Sequence, residues 1–222
     1  MKKHIWIIIA SAALFRLINI HMPLLEGSAT RQIYSAMVAK HFYEEDMNIL
    51  YPLIPIKGNE LFYQALEIQF IPYLAAISYK ITNGIHTEAF RIIAILFTIL
   101  TLYVLYLFIR DISNHDNALV AVFFFAFSPI SIYLGRSANF EMPIIFFNIA
   151  ALWFFYKWAK TEKFEFCIFG NISFIFAVLL KLPNLYLLLP IYYILWQKWG
   201  IKSFKKNWLI ILSFIPIALA NY

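Results

Sequence analysis

Residues 88–110 read EAFRIIAILFTILTLYVLYLFIR, and most of this stretch is apolar. As a helix, the run Ala89–Ile109 is long enough to cross the roughly 30 Å hydrocarbon core of a bilayer. Its high content of Leu, Ile and Phe is typical of a membrane span. The stretch therefore predicts a transmembrane helix, and other parts of the chain repeat the pattern.

Apolar runs of this kind recur along the whole sequence. They are His4–Ile20, Ala89–Ile109, Ala118–Leu134, Met142–Trp158, Phe164–Leu180, Leu182–Trp196 and Trp208–Ala220. The chain is 63% hydrophobic and 19% aromatic, which is well above the composition of a soluble domain. We predict an all-α fold in which residues 1–222 form one membrane domain, a polytopic transmembrane helical bundle with about seven crossings.

The lysines indicate the orientation of this bundle. They cluster at Lys2 and Lys3, in a loop with Lys157, Lys160 and Lys163, and in a second loop with Lys198, Lys202, Lys205 and Lys206. Loops rich in lysine face the cytoplasm, and all three clusters do so only if the run Phe70–Ile81 does not cross. That run is shorter than a span and carries Pro72 in its first turn. We therefore interpret it as a juxtamembrane or re-entrant helix in an integral protein of the cell membrane.

A long polar and amphipathic stretch follows the first span. Residues 21–67 read HMPLLEGSATRQIYSAMVAKHFYEEDMNILYPLIPIKGNELFYQALE. The orientation above places an outer loop of about residues 21–88 outside, with the turns GRSANFE (135–141) and KLPN (181–184). Within the loop, Arg31–Phe42 is expected to form an amphipathic helix in the plane of the interface. The candidate site residues on this face are Glu26, Arg31, Glu67, Arg136, Glu141 and Lys181.

Most of these charged residues also have a structural explanation. Glu26 can be an acid in front of a helix, where it suits the helix dipole. Glu67 and Lys181 adjoin apolar runs and can extend to water from there. Arg136 and Glu141 can pair with each other across a membrane boundary. The residues alone leave the structural and the functional interpretations open.

Several other kinds of site are disfavoured. The five histidines show no paired spacing typical of a metal site, and His41 with Glu44 and Glu45 is the nearest approach. The sequence has no Walker loop, no G-x-G-x-x-G and no G-x-S-x-G, and no stretch that could build a soluble nucleotide-sugar domain. The net charge of +6 comes from short loops and does not predict a face that binds nucleic acid. For a transferase, a lipid-carried donor is what remains.

The order of segments resembles that of a known family. The outer loop is followed by ALEIQFIPYLAAISYKITNG (65–84) and EAFRIIAILFTILTLYVLYLFIR (88–110), then by FSPISIYLGRSANFEMP (127–143) and LLKLPNLYLLLP (179–190). This order is similar to the N-terminal half of the type-C membrane glycosyltransferases. Among these, it most resembles the relatives of dolichyl-phosphate-mannose protein mannosyltransferases and the aminoarabinose transferases of lipid A. We therefore expect the chain to be the N-terminal part of a longer family architecture.

The resemblance implies a reaction. Family members use polyprenyl-phosphate-linked sugars, and an acid early in the first outer loop acts at the acceptor as a base or through a divalent metal. Glu26 occupies that position, where the family more often has Asp. We assign the catalytic role to Glu26 and substrate binding to Arg31, Glu67, Arg136, Glu141 and Lys181, with Lys181 close to the lipid phosphate. Arg136 and Lys181 would stabilise the leaving phosphate, direct displacement would invert the anomeric centre, and no nucleotide or organic cofactor is required.

Our first functional hypothesis is therefore a glycosyltransferase that acts on the outer face of the membrane. Its partners would be a polyprenyl-phosphate sugar, an acceptor glycan, lipid or protein, and the membrane itself, with no nucleic acid. A flippase-like transporter of lipid or polysaccharide is the alternative, and it would carry charges or broken helices at mid-bilayer. The charges here lie at the outer rim, apart from Arg16, which favours the transferase. A non-catalytic scaffold would leave the long loop unexplained.

Overall fold

The computed structural model describes residues 3–24, 29–55, 61–63 and 67–202, which are mostly helical. Its helices are α1 (Lys3–Leu17), α2 (Ala29–Glu44), α3 (Phe70–Thr82), α4 (Glu88–Ile112), α5 (His115–Phe127), α6 (Pro129–Leu134), α7 (Glu141–Thr161), α8 (Phe164–Leu180) and α9 (Leu188–Trp199). Two 3₁₀ helices, Leu182–Leu187 and Gly200–Lys202, flank α9. The predicted helical class is confirmed for this part of the chain. The predicted span Trp208–Ala220 lies outside the described residues.

Two of the described helices, α4 and α7, are long and apolar enough to cross a membrane, with 25 and 21 residues. Helices α5 and α8 are also apolar but shorter. Large apolar side chains lie on the outside of the bundle, with Ile92 56% exposed and Phe124 69% exposed. Such a surface is rare on a soluble monomer and suits contact with lipid. About seven crossings, however, stay a prediction.

Helices α4 and α7 lie at the centre of the packing. Helix α4 contacts α1, α3, α5 and α7, and α7 also contacts α8 and α9. Phe90 and Phe97 of α4 are buried in one cluster with Met142 of α7. A second cluster joins Phe155 of α7 to Phe174 of α8. Because α4 contacts α7 and α7 belongs to both clusters, the ends of these two helices determine which loops can meet.

One predicted span is not a continuous helix. The run Ala118–Leu134 divides into α5 and α6 at Ser128, whose backbone is extended. Pro129, the first residue of α6, lacks the N–H that would continue the helix. Arg16 lies fully buried against this break and donates to the Ala126 carbonyl oxygen and the Ser131 Oγ, both at 2.9 Å. The buried arginine of the first span therefore stabilises a helix break.

The predicted span Leu182–Trp196 likewise begins as a 3₁₀ helix. Lys181 is extended and separates α8 from Leu182–Leu187, which has Pro183 in its first turn. Asn184 closes the junction, because its Nδ2 donates to the Ala177 carbonyl oxygen at 2.7 Å. The junction gives Lys181 a position outside both helices.

The stretch between α1 and α4 contains the helix predicted at Arg31–Phe42, which is confirmed as part of α2. The helix expected over Phe70–Ile81 is also present as α3, which packs against α2 and α4. A short antiparallel hairpin, β1 (Leu53–Pro55) and β2 (Leu61–Tyr63), was not predicted. Tyr51 stacks on Tyr63 beside it, with ring centroids 4.8 Å apart.

Candidate functional site

Four of the predicted site residues form one ionic network. The Arg31 Nη2 lies 2.8 Å from the Glu67 Oε2, and the Arg31 Nη1 lies 3.6 Å from the Glu141 Oε1. The Lys181 Nζ approaches the same Glu141 oxygen at 3.3 Å. The four side chains are between 23% and 37% exposed, so the network is half-buried and open to solvent.

Each member of the network lies at or near the end of a helix. Arg31 is in the first turn of α2, and Glu67 precedes α3. Glu141 is the first residue of α7, and Lys181 follows the last residue of α8. An acid at a helix N-terminus and a base at a C-terminus both complement the helix dipole. The helix dipoles therefore favour Glu141 at the start of α7 and Lys181 at the end of α8.

Backbone contacts hold these segments together. The Ile68 N–H donates to the Leu179 carbonyl oxygen at 3.2 Å, which joins the segment before α3 to the end of α8. The Ala138 N–H donates to the Gln32 Oε1 at 3.3 Å, which joins the turn before α7 to α2. The Arg31 guanidinium also lies over the Phe140 ring, 5.3 Å from its centroid. These contacts hold the four segments that carry the network in fixed positions relative to one another.

Arg136 lies in the turn before α7, and its backbone is part of a second set of contacts. Its carbonyl oxygen accepts a hydrogen bond from the Arg91 Nη1 at 3.2 Å. The Arg91 Nη2 donates to the carbonyl oxygens of Met22 and Pro23 at 2.9 and 3.2 Å. Arg91 is only 1% exposed. It joins the start of the first loop to α4 and to the turn that carries Arg136.

Arg91 was not among the residues selected from the sequence. It stands inside an apolar run, where the backbone groups that it contacts are distant along the chain. A signal was nevertheless present, because an ionisable residue within a membrane-spanning run is itself an indication of a functional or structural site. Glu26, the predicted catalytic residue, lies outside the described residues.

The described residues contain no group of three His, Cys, Asp or Glu side chains that could hold a metal ion, and this search does not include Glu26.

Tyr79 of α3 is fully buried near the start of α4. Burial, together with the charge of Glu88, raises the pKa of Tyr79 to about 12. The phenol therefore stays protonated at neutral pH and is not suited to act as a base.

Comparison with known proteins identifies the family of this chain. A family model described as dolichyl-phosphate-mannose-protein mannosyltransferase matches residues 69–221, which is more than half of the chain. The chain belongs to that family. This confirms the resemblance inferred from the sequence and, with the two long apolar helices, indicates a membrane glycosyltransferase. A comparison with curated proteins finds no match.

The matched residues contain part of the site. Arg91, Arg136, Glu141 and Lys181 lie within residues 69–221 of the family match. Glu26, Arg31 and Glu67 precede it. The ionic network therefore joins the family-matched helices to a preceding loop, and the contacts between Arg31 and Glu141 cross that boundary.

Proposed function

We propose that this chain transfers a sugar from a polyprenyl-phosphate-linked donor to a glycan, lipid or protein acceptor on the outer face of a cell membrane. The observation that supports this proposal most directly is the network of Arg31, Glu67, Glu141 and Lys181. Its members come from four separate segments and meet where the helices α2, α3 and α7 begin and α8 ends. A purely local explanation for each charge does not account for this meeting.

The network suits the leaving phosphate of such a donor. Departure of the sugar leaves negative charge on the lipid phosphate, and guanidinium and ammonium groups stabilise that charge. Arg31 has five N–H donors and Lys181 has three, so each can bind a phosphate while it keeps its carboxylate partner. Arg91 and Arg136 bring two more guanidinium groups to this end of the bundle.

In this reaction, Glu26 would act as the base that removes the proton of the acceptor. Only residues 25–28 separate Leu24 from Ala29, and Arg91 binds the carbonyl oxygens of the adjacent Met22 and Pro23. A chain advances at most about 3.6 Å per residue, so this connection is short. This supports a role for Glu26 at the same end of the bundle as the network. Attack by the activated acceptor opposite to the phosphate would invert the anomeric centre.

The proposed topology has about seven crossings, with residues 21–88 and the network outside and the lysine loops in the cytoplasm. It is supported by the positions of Glu141 at the start of α7 and Lys160 near its end. Single cysteines at positions 58 and 160, in a background without Cys167, should therefore react with impermeant reagents from opposite sides. Reaction of both from the same side would mean that α3 crosses the membrane.

One observation favours the flippase-like alternative. The apolar run Ala118–Leu134 is interrupted at Ser128, between α5 and α6, and the charged side chain of Arg16 lies at the interruption. Many transporters have helices that are interrupted in this way. However, the two Nη atoms of Arg16 donate to Ala12, Ala126 and Ser131. This engagement suits a structural role better than the binding of a transported group.

The decisive experiment is a transfer assay. Membranes that contain the protein would be incubated with radiolabelled polyprenyl-phosphate sugars and with a mixture of envelope acceptors. We expect label to leave the lipid and to appear in an acceptor fraction, and Lys202→Ala to behave like the wild type. Movement of labelled lipid across the bilayer, without cleavage of the sugar phosphate, would support transport and contradict the transferase.

A further inference from the structure

The last turns of α4, α7 and α9 border a groove at the end of the bundle opposite the ionic network. Its volume is about 600 Å³. Helix α7 extends from Glu141 in the network to Lys160 beside the groove, a distance of about 30 Å at 1.5 Å per residue. The groove is therefore separate from the proposed site of sugar transfer, and nothing in the proposed reaction uses it.

The groove has an apolar wall and a basic edge. Phe108, Ile112 and Ile194 contribute apolar surface, and Lys160 and Lys198 lie at its border. Ile112 is 49% exposed, so this wall is accessible from outside. A basic pocket between membrane helices is the kind of site that binds the headgroup of an anionic lipid.

The charges near the groove leave its lysines available. Asp111 is the acid next to Ile112, and it is engaged by Arg110, Lys157 and the Trp153 indole. Glu162 pairs with Lys198 at 3.3 Å, but these side chains are 53% and 42% exposed. An ion pair of that exposure is worth little and opens readily. Lys160 lies over the Tyr156 ring, 5.8 Å from its centroid, where it remains exposed.

We propose that this groove is a binding site for an anionic phospholipid. Lys160 and Lys198 would contact the phosphate of the headgroup, and an acyl chain would lie against Phe108, Ile112 and Ile194. Charge complementarity and the apolar wall together favour a lipid over a soluble anion, which would leave the wall uncovered. The site is distinct from the donor site, because the two lie at opposite ends of α7.

The test measures lipid binding to the full chain in detergent micelles by native mass spectrometry. The probes are dioleoyl-phosphatidylglycerol and dioleoyl-phosphatidylcholine. Each lysine close to a headgroup contributes about fivefold in affinity, so Lys160→Ala with Lys198→Ala should weaken phosphatidylglycerol binding roughly 30-fold. The matched control, Lys163→Ala with Lys202→Ala, removes the same charge from the same end of the bundle but outside the groove. It should bind like the wild type.

A second pair of variants tests the apolar wall. Ile112→Trp should fill the groove and weaken phosphatidylglycerol binding, whereas Ile168→Trp, on the exposed face of α8, should not.

Equal losses from the two lysine pairs would overturn the proposal, as would equal affinity for phosphatidylcholine. Displacement of the lipid by inorganic phosphate would also overturn it, because the ligand would then be a soluble anion. Cross-linking of a cysteine at 112 to one within 208–220 would instead show that the chain itself covers the groove.

Discussion

The two ends of α4 and α7 both carry ionic groups, but the groups are built differently. At one end, Arg31 and Lys181 reach Glu67 and Glu141 from segments that are far apart in the sequence. At the other end, Asp111 is surrounded by its neighbour Arg110 and by groups of the adjacent helix. The first arrangement joins several loops, whereas the second joins two packed helices.

The difference lies in what each end can still bind. Both oxygens of Asp111 are engaged, Oδ1 by Arg110 at 3.0 Å and Oδ2 by the Trp153 Nε1 at 3.1 Å. The lysines that remain at that end lie at the surface, where they suit contact with lipid headgroups. In the network, Arg31 and Lys181 keep N–H groups that can face a ligand. This comparison suggests chemistry at one end and membrane contact at the other.

The largest expected effect comes from Glu26→Gln. Gln cannot accept the acceptor's proton, so the transfer rate should fall by about 10²–10⁴-fold while the protein still folds. Glu26→Asp keeps the charge and should retain substantial activity. If Glu26 only favoured the dipole of α2, Glu26→Gln would cost about 1 kcal/mol or less in stability and leave the rate nearly unchanged. A transfer assay with the purified variants separates these outcomes.

The two arginines of α4 provide the next test, because they lie at its opposite ends. Arg91→Met would leave the carbonyl oxygens of Met22, Pro23 and Arg136 without this donor. A buried acceptor left unsatisfied costs about 1–3 kcal/mol, and because these three hydrogen bonds are only part-buried, the total should be about 2–4 kcal/mol. Arg110→Met removes a 40% exposed guanidinium and should cost less than about 1 kcal/mol.

Unfolding of these two variants in detergent micelles, followed by circular dichroism, measures the comparison. Equal losses of stability would contradict the role assigned to Arg91. A transfer assay adds a second readout, since Arg91→Met should also lower the rate if the start of the first loop must be held against the turn before α7. Arg110→Met should leave the rate unchanged.

Lys181→Ala should weaken binding of a polyprenyl-phosphate donor by about 1–3 kcal/mol, the range for hydrogen bonds to charged groups. The substitution also leaves the Glu141 carboxylate with Arg31 as its remaining cation in the network, so that carboxylate would repel the donor phosphate more strongly. Lys202→Ala removes an exposed lysine from the other end and should have no effect. Donor affinity, measured as the KM of the transfer reaction, checks both. If the two substitutions change KM equally, only the overall charge of the membrane surface matters.

Much of the helical fold could be predicted from the sequence. The positions and lengths of the apolar runs placed α8 at Phe164–Leu180, the bounds that the structure has, and placed α7 within a few residues. The break at Ser128 was missed because the run is apolar on both sides of Pro129. The hairpin was missed because strands of three residues carry no measurable alternation.

The candidate site could be predicted only in part. Lysine placement grouped Arg31, Glu67, Glu141 and Lys181 on one face, and the structure brings them together. The individual pairs depend on how α2 meets the turn before α7 and on how α8 packs against α7. These contacts join residues far apart in the sequence and leave no local signal. Arg91 was missed for a similar reason, because its partners are backbone carbonyl oxygens far away in the sequence.

The smallest expected effect comes from Asp111→Asn, at the end that we consider structural. Asn keeps an oxygen that can accept from the Trp153 indole but loses the charge that attracts Arg110 and Lys157. Since these ion pairs are partly exposed, the cost in stability should be about 1 kcal/mol, with no change in donor KM. The matched substitution at the other end, Glu141→Gln, should change donor KM, because it releases both Arg31 and Lys181. A change in donor KM with Asp111→Asn would mean that the two ends are coupled through α4 and α7, and the division of roles between them would be wrong.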